Sequence, residues 1–146
     1  MKKLIAITII LVGIFSLWFY TRNPLQSSVT IRGTRFFVDL AITSQEKEIG
    51  LGNRLTLPSD HGMLFVYDHK EVFPFWMKNM RFPIDIIWID NRTIVSISKN
   101  VPIPTAPTEQ LPLYHPSVPV DKVLEVNAGL TDTYGISVGD KIIIKN

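Results

Sequence analysis

The clearest indication of the fold is the stretch IDIIWIDNRTIVSIS, residues 84–98. Both halves of the stretch are rich in β-branched residues, which favour strands. The halves are joined by Asp90 and Asn91, residue types that tolerate the positive backbone angles of tight hairpin turns. We therefore predict an antiparallel β-hairpin here and a mainly β protein around it.

Further strands are predicted from short apolar runs bounded by turn residues. They cover residues 29–31, 36–42, 62–67, 122–127 and 141–145, with a polar turn at 68–71 and a helical turn at 130–134. Thr43 and Glu46 are spaced as a capping box, so a short helix is predicted over residues 44–50, with Ile49 and Leu51 packed on a sheet. Short strands at regular spacing predict an antiparallel β-sandwich or barrel of jelly-roll type with one or two short helices.

An apolar run precedes this domain. Residues 4–20, LIAITIILVGIFSLWFY, carry no charge, and Lys2 and Lys3 stand before them. A run of this length is enough for a short membrane-spanning helix, and the lysines place its N-terminus in the cytoplasm. We therefore predict a membrane anchor over residues 1–24 and a domain over residues 25–146 that lies outside the cytoplasm, periplasmic or extracellular. A cleaved signal peptide is the alternative and would make the domain a secreted protein.

Composition excludes several classes of protein. The 146 residues include no cysteine, which excludes a disulfide scaffold, a thiolate metal site and a cysteine nucleophile. The chain carries 15 Lys and Arg against 13 Asp and Glu, but Lys2, Lys3 and Arg22 flank the apolar run, and without them 12 cations face the same 13 acids. A nucleic acid is therefore not an expected partner.

Six motifs in the domain resemble those of one known family. They are EIGLGNRL at 48–55, HGMLFVY at 61–67, FWMKNM at 75–80, PIDIIWID at 83–90, VLEVNAG at 123–129 and GISVGD at 135–140. In this order and spacing they resemble the DUF192 family, also called UPF0127. The resemblance implies a small, mostly β, sandwich-like domain that is often exported, and it implies no established activity. The family usually has Met where this chain has Gly52, and Thr where it has Met80.

Polar residues inside these apolar motifs form the candidate site. They are Arg54, Lys78, Asn79, Asp85 and Glu125. An unpaired charge is costly to bury, so each charged residue must face solvent or find a partner. One interpretation groups them around a concave site for a polar or anionic ligand. The other gives them a structural role, with Asp85 pointing outward from a half-buried strand and paired with Lys78 or Arg54.

Aromatic side chains lie close to these polar residues. Trp76 precedes Lys78 and Asn79, and a tryptophan with polar neighbours could stack on a sugar ring. Core packing is the alternative for Trp76, as it is for Phe73, Phe75 and Trp88. Only the exposure of the indole face separates the two interpretations.

Methionine and histidine suggest a metal as a weaker hypothesis. Met63, Met77 and Met80, with His61, are ligand types that suit Cu(I). Methionine is also an ordinary core residue, and the three histidines show no metal-ligand spacing. We therefore predict no metal site and no cofactor.

Residues 100–120 contain six of the ten prolines. Because proline lacks a backbone N–H, this segment cannot be a central strand. We predict an extended crossing that covers one open end of the sandwich, with Leu111, Leu113 and Tyr114 as the plug. The alternative is a functional role, in which the segment offers polyproline II stretches or a movable lid over the motif face.

These observations predict a membrane-anchored binding or accessory module outside the cytoplasm, with a small polar or carbohydrate ligand. The alternative is an envelope enzyme that acts on a carbohydrate or cell-wall substrate through Asp85 and Glu125 as paired carboxylates. No serine-nucleophile elbow, zinc-protease helix or phosphate-binding loop occurs in the sequence. A third possibility is a structural domain whose partner is another protein.

Overall fold

The structure is a computed structural model that describes residues 26–105 and 110–146. The described strands and helices are β1 (Ser28–Ile31), β2 (Thr34–Ala41), α1 (Ser44–Ile49), β3 (His61–Glu71), β4 (Ile84–Asp90), β5 (Thr93–Val101), β6 (Val120–Asn127), α2 (Leu130–Thr133) and β7 (Ile142–Lys145). The predicted membrane anchor, residues 1–24, lies outside the described residues. Within the described ranges, no helix is long and apolar enough to cross a membrane.

The strands form one sheet in the order β5-β4-β6-β3-β2-β1-β7. All neighbouring strands are antiparallel except β2 and β3. A parallel pair needs a crossover connection, and residues 42–60, which include α1, provide it. The mainly β class and the two short helices are confirmed. The predicted sandwich of two stacked sheets is not confirmed, because this crossover joins the β1–β2 hairpin to the sheet that contains all the other strands.

The sheet curls into a half-barrel whose edges approach each other. Lys141, just before β7, bridges Thr93 at the start of β5. Nearby, the N–H of Gly139 donates to the carbonyl of Ile94 at 2.8 Å. The curl encloses an inner core, whose buried members are Val29, Ile31, Phe36, Val38, Leu64, Ile87, Ile89, Ile94, Leu124, Val126, Ile136 and Ile142.

The outer face of the central strands carries a second, outer core. Its buried members are Ala41, Leu51, Leu57, Met63, Phe65, Phe75, Met77, Met80, Ile84, Ile86, Trp88, Val101, Val120 and Val123. Loops cover this face, and Tyr114 from the proline-rich segment exchanges two backbone hydrogen bonds with Phe75, at 2.8 and 2.9 Å. Tyr114 therefore covers part of this outer face rather than an open end of a sandwich, whereas Leu111 is half-buried and Leu113 is exposed.

Local predictions hold where short-range chemistry decides the structure. The hairpin of β4 and β5 is present, and the capping box begins α1, with the Glu46 N–H donating to Thr43 Oγ1 at 3.2 Å. Leu51 is buried as predicted, but Ile49 is exposed. Strand β3 continues through the turn predicted at 68–71.

Candidate functional site

A cleft of about 230 Å³ opens on the outer face, between α1 with the turn after it, strand β3 and the connection from β3 to β4. Its lining residues are Lys47, Glu48, Ile49, Gly50, Leu51, Gly52, Phe65, Tyr67, Pro74, Phe75, Trp76, Lys78, Met80 and Glu125. The walls are mainly aromatic and aliphatic, with a few charged groups. That composition is typical of sites that bind small molecules.

Glu125 from β6 forms the floor of the cleft. In the sheet it stands opposite Met63 of β3 and Ile86 of β4, both of which belong to the outer core. Only 5% of its surface is exposed. Among the described residues, its Oε2 atom has no hydrogen-bond partner, and a buried polar atom left in this state costs about 1–3 kcal/mol. The fold therefore keeps an unsatisfied acceptor at the floor of an open cleft.

Gly50 keeps the space above this acceptor free. A Cβ atom at Gly50 would lie 3.9 Å from Glu125 Oε2 and 3.3 Å from Cζ of Phe65. The φ angle of Gly50 is 52°, a backbone conformation that favours glycine. A side chain at this position would therefore be strained and would crowd the floor of the cleft.

Burial controls the protonation of the floor. Loss of solvent raises the pKa of Glu125 to about 8, and the positive charge of Arg54 offsets this only in part. Burial and the neighbouring Glu125 also raise the pKa of Tyr67 to about 12. At neutral pH the floor is therefore a neutral carboxylic acid beside a neutral phenol, and both can donate and accept hydrogen bonds.

Two lysines and an exposed indole mark the mouth of the cleft. The Lys47 ammonium lies 4.2 Å from the ring centre of Tyr67, and that of Lys78 lies 5.4 Å from the Trp76 ring. Trp76 is 45% exposed. Lys78 Nζ is 3.9 Å from a carboxylate oxygen of Glu48, which is a loose ion pair. The mouth can therefore offer an aromatic face and cationic groups to a ligand.

The structure brings together three of the six predicted site residues. Trp76, Lys78 and Glu125 line the cleft. Arg54 instead donates to Asp39 at 2.7 Å and acts on Glu125 through its charge. Asn79 is exposed, in a turn with φ 59°.

Asp85 lies on the opposite face of the sheet. It stands across from Val126 of the inner core and is completely buried. It accepts hydrogen bonds from the N–H of Asn100 at 2.8 Å and from the N–H and hydroxyl of Thr131 at 3.0 and 2.7 Å. An outward orientation and an ion pair with Lys78 or Arg54 are therefore wrong for Asp85. The structure does not bring Asp85 and Glu125 together, because neighbours along β4 alternate between faces and Ile86, not Asp85, faces Glu125.

The residues of the copper hypothesis do not form a cluster of ligands at an open site. Met63, Met77 and Met80 are buried in the outer core. His61 Nδ1 lies 2.7 Å from Asp60 Oδ1, and the His61 ring packs against Phe37. No three His, Asp or Glu residues are grouped to hold a metal ion within 26–105 and 110–146.

Sequence reasoning missed Lys47, Glu48, Gly50 and Tyr67, which also line the cleft. Lys47 and Glu48 lie on a six-residue helix whose sequence does not say where it docks. Tyr67 falls at the end of the predicted strand 62–67, and the sequence pattern does not determine whether its side chain is buried or exposed. Glu125, by contrast, is predicted from the sequence, because it is a charged residue between Leu124 and Val126. The structure shows that its strand is buried on both faces.

Comparisons with known proteins place the chain in a recognised group. The family model DUF192, described as "Uncharacterized ACR", matches residues 27–144. A protein of unknown function from Novosphingobium aromaticivorans DSM 12444 is similar in structure, with 34% identity, a TM-score of 0.72 and coverage of 80% of this chain and 83% of the other. A second structure, from Sinorhizobium meliloti 1021 and described as a "putative transcription regulator", shows 31% identity, a TM-score of 0.71 and coverage of 82% and 92%. No curated protein sequence matches the chain.

Proposed function

The chain belongs to the DUF192 family, and we propose that it is a binding module for a small polar ligand, held at the outer side of a cell membrane. One observation carries the proposal. A buried carboxyl oxygen of Glu125, without a hydrogen-bond partner among the described residues, lies at the floor of an open cleft. Native proteins rarely leave buried polar atoms unsatisfied. A ligand that donates a hydrogen bond to this oxygen would therefore remove the free-energy penalty of leaving it unsatisfied.

The mouth of the cleft supports a ligand with a ring. Trp76 exposes nearly half of its surface, and an exposed indole offers a flat apolar face on which a sugar ring can stack. The cleft is smaller than the ~300–1,000 Å³ of sites for drug-sized molecules, so it suits a ligand of about one ring. We therefore propose a carbohydrate or another small polar ring compound as the ligand.

The location is proposed from the sequence alone. The uncharged run of residues 4–20 follows Lys2 and Lys3, a pattern typical of a membrane anchor with a cytoplasmic N-terminus. A nucleic-acid partner is not part of the proposal, because beyond these lysines and Arg22 the chain has slightly more acids than cations.

A thermal-shift screen of the full chain in mild detergent tests the proposal. The probes are monosaccharides, sugar acids, amino sugars and cell-wall fragments. A probe that binds at a hundred times its dissociation constant stabilises the protein by about 2.7 kcal/mol. We expect at least one probe to raise the melting temperature of the wild type and of Tyr134→Ala, which removes an exposed aromatic outside the cleft, but not that of Trp76→Ala. A screen in which no probe shifts the wild type, or in which the shift persists in Trp76→Ala, contradicts the proposal.

An envelope enzyme is the second candidate. Its pair of carboxylates would be Glu48 and Glu125 instead of Asp85 and Glu125. Glu48 lines the same cleft as Glu125, and one buried acid beside one exposed carboxylate is the combination that glycoside hydrolysis uses. Release of reducing ends from cell-wall fragments by the wild type, lost in both Glu48→Gln and Glu125→Gln, would favour this candidate. Binding without turnover favours the binding module.

A further inference from the structure

The charged groups of the cleft lie at two depths. Glu125 forms the buried floor, while Lys47 and Lys78 are partly exposed at the mouth. Glu48 is the one carboxylate besides Glu125 among the residues that line the cleft, and its contact with Lys78 is long. The cleft therefore presents an acidic group inside and an excess of cationic groups outside, and the choice of ligand must account for both.

The floor is complementary to an ammonium group. The unsatisfied Oε2 atom of Glu125 can accept hydrogen bonds, and Phe65, Tyr67 and Phe75 surround the space above it. Aromatic faces attract cations, and a carboxylate in a dry environment attracts them more strongly than in water. Arg54, whose positive charge lowers the pKa of Glu125, is paired with Asp39 instead. An ammonium group from a ligand would supply a counter-ion to Glu125 once that group becomes a carboxylate.

The mouth is complementary to an anion. The ammonium groups of Lys47 and Lys78 rest against aromatic rings rather than in close ion pairs. A carboxylate or phosphate of the ligand would give them charge-assisted hydrogen bonds. A neutral sugar has no anionic group and would form no such hydrogen bonds with the two lysines.

We propose that the ligand is a zwitterion of about one ring, such as an amino sugar with an acidic group, whose ammonium meets Glu125 and whose anion meets Lys47 and Lys78. This inference rests on the proposed function, since it concerns the ligand of the same cleft. It goes further because it fixes the charges of the ligand and the direction in which it enters.

Binding then moves a proton. The groups around the Glu125 carboxyl are the Tyr67 phenol, the Arg54 guanidinium and, towards the mouth, Lys47, Glu48 and Lys78. With the cleft empty at pH 6.5, burial keeps the proton on Glu125. An arriving ammonium favours the carboxylate, so the proton leaves to the buffer as the ion pair forms. We therefore expect the release of about one proton per ligand at this pH.

Isothermal titration calorimetry with four matched probes tests the inference on the full chain in detergent. The probes are glucosaminuronate, which has both charges, glucosamine, which lacks the anion, glucuronate, which lacks the amine, and glucose. At pH 6.5 in buffers of different ionisation enthalpy, we expect glucosaminuronate to bind best. Each missing charge should weaken binding about tenfold, and proton release should accompany only the two amines.

Variants assign each charge to its partner. Glu125→Gln should abolish proton release and the advantage of the amine. Lys47→Met and Lys78→Met should reduce the advantage of the carboxylate, whereas Lys99→Met, on the exposed face of β5 and paired with Asp132, should change neither. If glucose binds as tightly as glucosaminuronate and no proton is released, the inference is wrong while the binding function stands. If none of the four probes binds, the inference is wrong, and the wider thermal-shift screen decides separately on the binding function.

Discussion

Replacing Glu125 with glutamine is expected to stabilise the protein by about 2–4 kcal/mol at pH 8 and to leave its stability at pH 4.5 nearly unchanged. The side chain is 5% exposed and its pKa is raised to about 8 by burial. Glutamine has almost the same shape and carries no charge at any pH. The substitution therefore removes the cost of the buried acid without emptying the floor.

The free energy of unfolding depends on pH because Glu125 has different pKa values in the folded and the unfolded chain. The ordinary pKa of glutamate is 4.5 and that of folded Glu125 is about 8. Between these values the unfolded chain has released the proton and the folded chain has kept it, so the free energy of unfolding falls as the pH rises. The fall begins near pH 4.5, reaches about 4–5 kcal/mol and levels off above pH 8.

Urea unfolding at pH 4.5, 6.5 and 8 measures this effect. Glu48→Gln is the matched control, because Glu48 lines the same cleft but is exposed. We expect the stability of the wild type and of Glu48→Gln to fall together with rising pH and that of Glu125→Gln to stay higher. Parallel curves for the wild type and Glu125→Gln would show that Glu125 titrates like an exposed glutamate.

Replacing Asp85 with alanine is expected to destabilise the protein by about 3–5 kcal/mol. Asp85 is completely buried and accepts three hydrogen bonds, two from Thr131 and one from Asn100. Thr131 is itself buried, so its N–H and hydroxyl would lose their acceptor without access to water. These bonds fasten α2 and the end of β5 to β4, so the loss should loosen that end of the half-barrel.

Chemical denaturation of Asp85→Ala beside Asp132→Ala checks this role. Asp132 lies on α2 and pairs with Lys99, but it is exposed, and an exposed ion pair contributes less than about 1 kcal/mol. Asp85→Ala should therefore be far less stable than Asp132→Ala. Equal stabilities would mean that the buried hydrogen bonds of Asp85 contribute nothing beyond a surface contact.

The sequence was sufficient where neighbouring residues determine the structure. The β4–β5 hairpin depends on two β-branched runs and a two-residue turn, and α1 depends on the pair Thr43 and Glu46. It was insufficient for the way distant strands combine. The parallel pairing of β2 with β3 follows from where the crossover of residues 42–60 docks, and no local pattern specifies that contact.

The candidate site shows the same contrast between features that local sequence predicts and features that depend on the pairing of distant strands. Trp76 and Lys78 were found because they stand in one motif, and Glu125 because a charge in an apolar strand is unusual. Asp85 met the same criterion but belongs to the other face. The difference depends on the register, which pairs Ile86 with Glu125 and Asp85 with Val126. A shift of one residue would have exchanged their roles.

Titration of the Glu125 carboxyl carbon by ¹³C NMR, with and without glucosaminuronate, shows whether a buried acid forms the floor of the cleft and responds to the ligand. Spectra of the wild type and Glu125→Gln would assign the signal. We predict a midpoint near pH 8 in the free protein, as the buried floor requires, and a clear fall of this midpoint when the probe is added. A midpoint near the ordinary value of 4.5, unchanged by the probe, would contradict a ligand-binding cleft built around a buried acid.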